Sequence, residues 1–341
     1  MRFFKNVLYA LMIVMTALIS VSMAGRASAA DSEWYWITSD DKYSKYFSTE
    51  RINVVSSKDG VPTCIEDWIK TSYAPGGAAE AISNMKLPID DPNNLSYSLA
   101  LVRMNPQDRT FWYMEEIFYD KDGRALYTLR HSSPIIKDIN SQSFDEKFYA
   151  MIVDRVFNKG EGGRLIAKDR WLTLWQNSSG TSSADTATLR RVGSSAFVWI
   201  WQENKNADGE TVSINFMKKE YNLSNMTAAT LKNNYWGFDT GWVNKTAQLD
   251  TSMHAIIPES SEDMEFAKIK QYIAAHPDWA ARYQPGSASA AVPVPSAAQA
   301  AASVPAAEAS SSASSGSSVS PAAKHSTDPL GSVGPIGGPV Q

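Results

Sequence analysis

The chain has 341 residues, of which 43% are hydrophobic and 11% aromatic, and its formal net charge is −4. The sequence shows no basic stripe of the kind that nucleic-acid binders carry, so no nucleic-acid partner is expected. Cys64 is the only cysteine. A disulfide within one chain is therefore excluded, and the hydrophobic core must provide the stability.

Residues 1–30 have the pattern of a signal peptide. Arg2 and Lys5 form a positive start. A run without charge follows from Val7 to Met23, and Ala27-Ser28-Ala29 then offers a small-residue cleavage site. The alternative is an uncleaved membrane anchor, because the apolar run is near the lower length limit for spanning. We expect export to the periplasm, the cell envelope or the extracellular space, with membrane contact only through an uncleaved segment.

Residues 31–158 are predicted to form the first of two modules. Short strand-like segments alternate with turns from Glu33 to Leu129, and Asp122-Gly123 suits a tight hairpin. Residues 73–94 contain Pro75-Gly76-Gly77 and two further prolines, a pattern typical of a long irregular connection. We predict six strands in this module, closed by one helix.

The closing helix of the first module is predicted over residues 139–157. Ser143 and Glu146 have the spacing of a capping box, in which each side chain satisfies a backbone donor that the first turn leaves open. Apolar residues then recur at helical spacing and predict one buried stripe. The stripe consists of Phe144, Phe148, Met151, Ile152 and Val156.

A second module is predicted over residues 171–283, after a glycine-containing linker at residues 159–170. Trp171–Trp175 repeats the strand at Trp34–Thr38 at an offset of 137 residues. A helix over residues 262–275 echoes the first helix at an offset of 118 residues, with Phe266, Ile269 and Ile273 on its buried side. The predicted fold class is α+β, with two tandem modules that each combine an antiparallel sheet of about six strands with one packed C-terminal helix. The alternative is one larger sheet that carries two helices.

Residues 284–341 differ abruptly in composition from the rest of the chain. They are rich in Ala, Ser and Pro, contain no aromatic residue, and carry only Glu308, Lys324 and Asp328 as charges. Such a segment cannot bury enough apolar surface to offset the ordering of its backbone. We therefore predict a disordered tail.

The search for a catalytic or metal-binding motif is negative. Of the four histidines, His131 and His254 fall near the predicted strands, and neither has metal-ligand spacing. No nucleophile elbow, phosphate loop or dinucleotide fingerprint is present. We expect no metal, no other cofactor and no enzymatic activity. A site assembled from distant residues would leave no such motif, so catalysis stays as the third hypothesis.

Tryptophan is frequent, with eleven residues in the chain. Trp199 and Trp201 share one face of a strand-like segment, and Val198 and Ile200 occupy the other. Such a strand is either central and covered on both sides, or it exposes an aromatic patch. We select Trp199 and Trp201 as candidate partner-binding residues, because exposed tryptophan stacks on sugars and anchors protein partners.

Four segments together resemble the surface-adhesin protein E family of Gram-negative envelopes. They are the tryptophan strand at Glu33–Ile37, the segment Tyr46–Ile52, the Trp68-Ile69-Lys70 strand and the closing helix with its serines. The resemblance covers most of residues 33–157 and, more weakly, residues 171–275. It implies a small antiparallel sheet with a helix on one face, in an exported family that includes binders of host matrix proteins. This chain departs from the family in lacking a second cysteine and in having two units and a tail, and none of the family's binding residues can be assigned to it.

From these observations we expect an exported, non-catalytic envelope or surface protein that binds a macromolecular partner, either a protein or a glycan. The alternative is a periplasmic structural or envelope-maintenance protein without an external ligand.

Overall fold

The computed structural model describes residues 33–284, which form two antiparallel β-sheets with five α-helices. The predicted signal peptide, and the predicted tail beyond Gln284, lie outside the described residues. Two sheets are present rather than the single larger sheet that the sequence left as an alternative.

The first sheet has eight strands, and six of them follow each other across the sheet in the order β1-β2-β4-β5-β6-β7. Strand β3 pairs with β4, and β8 pairs with β6. The strands are β1 (Trp34–Ser39), β2 (Tyr43–Ser48), β3 (Asn53–Lys58), β4 (Val61–Tyr73), β5 (Tyr97–Asn105), β6 (Thr110–Tyr119), β7 (Ala125–Arg130) and β8 (Lys137–Asp138).

The second sheet has seven strands in the order β14-β13-β12-β11-β10-β9, and β15 pairs with β13. Its strands are β9 (Trp171–Asn177), β10 (Gly180–Val192), β11 (Ser195–Lys205), β12 (Thr211–Asn222), β13 (Thr227–Gly237), β14 (Gly241–Asn244) and β15 (His254–Ala255). Each sheet therefore contains a run of six antiparallel neighbours. The remaining strands are β3, which has six residues, and the two-residue strands β8 and β15.

The helices are α1 (Pro75–Met85), α2 (Glu146–Phe157), α3 (Glu161–Leu165), α4 (Ser261–Ala275) and α5 (Pro277–Ala280). Helix α1 corrects the prediction of an irregular connection at residues 73–94. Pro75 occupies the first turn, where a missing N–H is tolerated, and Ala78 and Ala81 pack into a small core with Phe118. Gly77 is a site of close approach rather than a turn residue, because a Cβ there would collide with the carbonyl oxygen of Lys42.

The core of the first sheet lies between one sheet face and α2. Phe148, Ile152 and Val156 are fully buried there, as the helical spacing predicted, whereas Phe144 is 49% exposed. Phe144 lies before the first residue of the helix, so it cannot continue the helical stripe. The main contributions from the sheet are Phe47, Ile65, Ile69, Ala100, Val102, Met104 and Phe111.

The predicted capping box at the start of α2 is wrong. The helix begins at Glu146 after Asp145, and the Ser143 hydroxyl instead accepts from the Asn140 amide at 3.0 Å. The Glu146 carboxylate accepts hydrogen bonds from Arg170 at 2.7 Å and Arg109 at 3.2 Å. A charge-assisted bond is stronger than a neutral capping bond, so these arginines hold Glu146 away from the capping position.

The core of the second sheet receives Phe266, Ile269 and Ile273 of α4, as predicted. Helix α4 begins at Ser261, one residue before the predicted start, and the hydroxyl of Ser260 accepts from the Asp263 amide at 3.2 Å. This bond is a true N-cap, in contrast to the start of α2.

A buried junction joins the two sheets, and α3 in the predicted linker provides its centre. The Glu161 carboxylate is fully buried and accepts from Arg109 Nη1 at 2.7 Å, Arg282 Nε at 2.7 Å and the Tyr283 hydroxyl at 2.6 Å. Arg109 lies just before β6 of the first sheet, whereas Arg282 donates to the carbonyl oxygens of β10 residues in the second. Glu161 therefore ties both sheets to the segment that follows α4.

A second group of charges extends the junction. Arg170 donates two hydrogen bonds to the Asp185 carboxylate, at 2.9 and 2.8 Å, and also forms an ion pair with Glu146. Nearby, Asp138 of β8 accepts from Lys218 of β12 at 2.5 Å and pairs with Lys232 of β13. Tyr283 packs in the first core, with its ring 4.8 Å from that of Phe157. The two sheets consequently share buried ion pairs and apolar contacts.

Candidate functional site

Trp199 and Trp201 lie inside an aromatic cluster on the second sheet, on the face opposite α4. They are 4% and 6% exposed. Trp199 stacks on Phe216 with ring centroids 4.6 Å apart, and Trp201 packs against the same ring in a tilted arrangement at 5.7 Å. Trp171 of β9 and Trp242 of β14 flank Trp201 at 6.4 and 5.8 Å. The Trp201 indole N–H donates to Glu203 at 2.9 Å.

Strand β11 is thus central and covered on both sides, which was one of the two readings that the sequence left open. Val198 and Ile200 pack in the α4 core, and neighbouring strands supply the rings that surround Trp199 and Trp201. Little of either indole is open to a partner. The prediction that this pair contacts a partner is for this reason not carried further.

The first sheet presents a different surface on the side opposite α2, which we call the outer face. Along β5 the buried residues Ala100, Val102 and Met104 alternate with the half-buried Leu99, Leu101 and Arg103. Strict alternation places the second set on the outer face. Both α1 and α2 pack on the buried side, and no helix described between residues 33 and 284 packs on the outer one.

Aromatic residues are concentrated on this outer face. The register aligns Trp36, Tyr46, Lys70, Leu99 and Ile117 across five neighbouring strands. Trp36, on the edge strand β1, is 56% exposed. The aromatic side chains of the face are Trp34, Trp36, Tyr46, Trp68, Tyr97, Trp112 and Tyr119.

Lys70 occupies the middle of these rings. Its ammonium lies 4.9 Å from the ring centroid of Tyr97, 5.8 Å from that of Tyr46 and 5.9 Å from that of Trp34. These distances suit cation–π attraction. Tyr97 in turn stacks on Tyr119, with centroids 4.8 Å apart and planes 11° from parallel.

The other charges of the outer face are paired. Arg103 donates to Glu66 at 2.7 Å, and Arg130 donates to Glu115 at 3.0 Å. Within the described part of the chain, no carboxylate lies within ion-pair distance of Lys70. One uncompensated positive charge therefore remains at the centre of an aromatic surface.

A second group of unusual residues is buried beneath the first sheet. Burial raises the pKa of Glu116 to about 7, although the Ser98 hydroxyl donates to it at 2.8 Å. Burial also lowers the pKa of Lys45 to about 8, and this ammonium donates to the Phe144 carbonyl oxygen at 2.9 Å. Tyr113 donates to Asp145 at 2.7 Å. The polar atoms of these groups form hydrogen bonds with neighbouring side chains and with the backbone, so we assign them a structural role in the first sheet.

No grouping suited to a metal emerges from the described residues. Within residues 33–284, no three or more His, Cys, Asp and Glu side chains are arranged to hold an ion. His254 contacts the Glu262 carboxylate at 2.8 Å. An open hollow of about 490 Å³ lies beside Val212, Tyr235 and Phe238, at the end of the second sheet. It contains none of the buried ionisable groups described above.

Comparison with protein-family models gives no match, and neither does comparison with curated protein sequences. None of the helices formed by residues 33–284 is long and apolar enough to cross a membrane.

Sequence reasoning missed the outer face as a site, although its residues were in view. Trp34, Trp36, Trp68 and Lys70 belong to strand segments on which the family resemblance rests. The alternation of Trp68 and Lys70 with Ile69 was the available signal, because it places an aromatic and a cation together on the face opposite an apolar residue.

Proposed function

We propose that this chain is an exported, non-catalytic envelope or surface protein that binds a macromolecular partner through the outer face of its first sheet. The observation that carries the proposal is a sheet face that is rich in aromatic residues and on which none of the helices of residues 33–284 packs. Half-buried tryptophan and tyrosine supply large contact area with little side-chain entropy to lose, which suits a binding surface.

We also propose that each sheet, together with the long helix that follows it, is one copy of a repeated module. The two runs of six antiparallel strands support this idea, as do the apolar side chains that α2 and α4 contribute to the two cores. The resemblance to the surface-adhesin protein E family supports the same architecture and an envelope location. A periplasmic structural protein remains the second candidate, favoured by the extent of the buried junction.

The proposal is tested with a pair of matched variants. Trp36→Ser alters the outer face, whereas Trp199→Ser together with Trp201→Ser alters the interior of the second sheet. Binding of the purified proteins to a panel of immobilised extracellular-matrix proteins would be measured, together with their melting temperatures.

We expect Trp36→Ser to weaken binding by about 2 kcal/mol, the size of a hot-spot contact, at an unchanged melting temperature. The double variant should lower the melting temperature, because each indole leaves a cavity. Unaltered binding by Trp36→Ser would contradict the assignment of the face. Protease accessibility on intact cells separates a surface location from the periplasmic alternative.

A further inference from the structure

Among residues 33–284, the ammonium of Lys70 has aromatic partners but no acidic partner. Three rings lie within 4.9–5.9 Å of it, and the two arginines of the same face are each paired to a glutamate. Cation–π contacts orient the ammonium without neutralising it. A ligand with one negative charge could therefore place that charge on a single ammonium, which is held at a defined position.

The surroundings of Lys70 suit a sugar. The row from Trp36 to Ile117 crosses five strands, so it extends over four steps of about 4.8 Å. Aromatic rings along such a row can stack on the apolar faces of sugar rings. The adjacent row contains Ser44 and Ser72, whose hydroxyl groups can exchange hydrogen bonds with sugar hydroxyls.

The charge balance limits how acidic the ligand can be. The whole chain has a formal net charge of −4, and Lys70 is the one unpaired cation in the row. A densely sulfated polymer would need several cations and would be repelled by the acidic remainder of the protein. A glycan with one carboxylate for several neutral sugars matches both the single cation and the neutral flanks.

We propose that the outer face of the first sheet binds an oligosaccharide that carries a single carboxylate, with the carboxylate on Lys70 and neutral sugar rings against Trp36, Tyr46 and Tyr97. This assignment rests on the proposed function, because it names the partner of the same face. A protein partner is the competing class. It is less suited to a row of half-buried rings, since protein hot spots are large side chains inserted into pockets.

The test uses the full-length protein and two immobilised sugars that differ by one acidic residue, 3′-sialyllactose and lactose. Wild type should bind the sialyl surface about two- to fivefold more tightly than the lactose surface, the effect of one exposed ion pair. Lys70→Met should remove this preference and keep the binding to lactose. Lys70→Arg should retain the preference, because the charge is kept. Lys58→Met, at an exposed lysine of the same sheet, should behave as wild type.

Several outcomes would overturn the inference. Equal binding of both sugars by wild type removes the role of the carboxylate, and an unchanged preference in Lys70→Met removes the role of Lys70. Tighter binding to heparin than to sialyllactose would show a response to charge density. If neither sugar binds while a matrix protein does so in a Trp36-dependent way, the ligand class is wrong and the proposed function stands. If Trp36→Ser leaves every interaction unchanged, the binding face itself is wrong.

Discussion

Glu161→Gln is the substitution that tests the junction between the sheets most directly. The Glu161 carboxylate accepts from two arginines and a tyrosine and is fully buried. Burial opposes its ionisation, but Arg282 and Arg109 outweigh that effect and lower the pKa of Glu161 from 4.5 to about 2. Glutamine keeps the shape of the side chain, removes the charge, and replaces one acceptor oxygen with an NH2 group that cannot accept a hydrogen bond from these donors.

The depressed pKa sets the expected magnitude. A fall from 4.5 to about 2 corresponds to about 3 kcal/mol of folding stability at pH 7. This figure agrees with the range of about 3–5 kcal/mol for breaking a buried ion pair by removing one partner. Because the pKa is lower in the folded state, the stabilisation is fully present above about pH 4.5. It is lost as the pH falls toward 2, so the difference between wild type and variant should narrow over that window.

Urea unfolding followed by tryptophan fluorescence measures this effect, since both sheets contain tryptophan. We expect one cooperative transition in wild type, because the sheets share the buried junction. Glu161→Gln should move that transition by about 3 kcal/mol at pH 7. The control is Glu80→Gln, which removes an exposed pair with Lys42 and should leave the transition nearly where it is in wild type, because solvent screens an exposed pair. Two separate transitions in wild type, or a loss below about 1 kcal/mol in Glu161→Gln, would refute the reasoning.

Three further predictions concern the cores and the ends of the described chain. Phe148→Ala and Phe266→Ala should each lower the free energy of unfolding by about 3–5 kcal/mol, and both should shift the same single transition in urea. If the two modules unfolded independently, wild type would show two transitions and each variant would shift only one of them. Glu116→Gln should stabilise the protein by about 3 kcal/mol at pH 8 and have little effect at pH 4. The reason is that the pKa of Glu116 is raised from 4.5 to about 7 in the folded state, so the folded protein loses stability as the pH rises from 4.5 to 7 and the carboxylate ionises. An effect of the substitution on thermal unfolding that does not change with pH would contradict this. Truncation after Gln284 should leave the melting temperature within about 2 °C of wild type, and a loss of several degrees in calorimetry would show that later residues contribute to the fold.

Helical periodicity was the most reliable guide from the sequence. Phe148, Ile152 and Val156 in α2 are buried as their spacing predicted, and so are the three residues chosen in α4. Spacing succeeds here because a helix packed on a sheet must turn one stripe inward. The prediction at Phe144 failed because the helix begins two residues later.

Features that depend on distant residues were beyond the sequence pattern. Ser143 and Glu146 have capping-box spacing, yet the Glu146 carboxylate accepts hydrogen bonds from Arg170 and Arg109, which are 24 and 37 positions away in the sequence. Trp199 and Trp201 were read correctly as sharing one face. Whether that face is open depends on Trp171 and Trp242, which reach it from other strands. Local alternation identifies the two faces of a strand but does not show which one its neighbours cover.

The position of Tyr283 has a consequence for the order in which the protein is made. Its hydroxyl contacts Glu161 across 122 residues of sequence, and its ring completes the core of the first sheet beside Phe157. The ribosome therefore finishes the first sheet long before it supplies the last side chain of that sheet's core. During synthesis this core stays open on the Phe157 side until nearly all of residues 33–284 have been made. The contacts that close it are among the most distant in the sequence, so they form late and slowly. The two sheets should become stable together rather than one after the other.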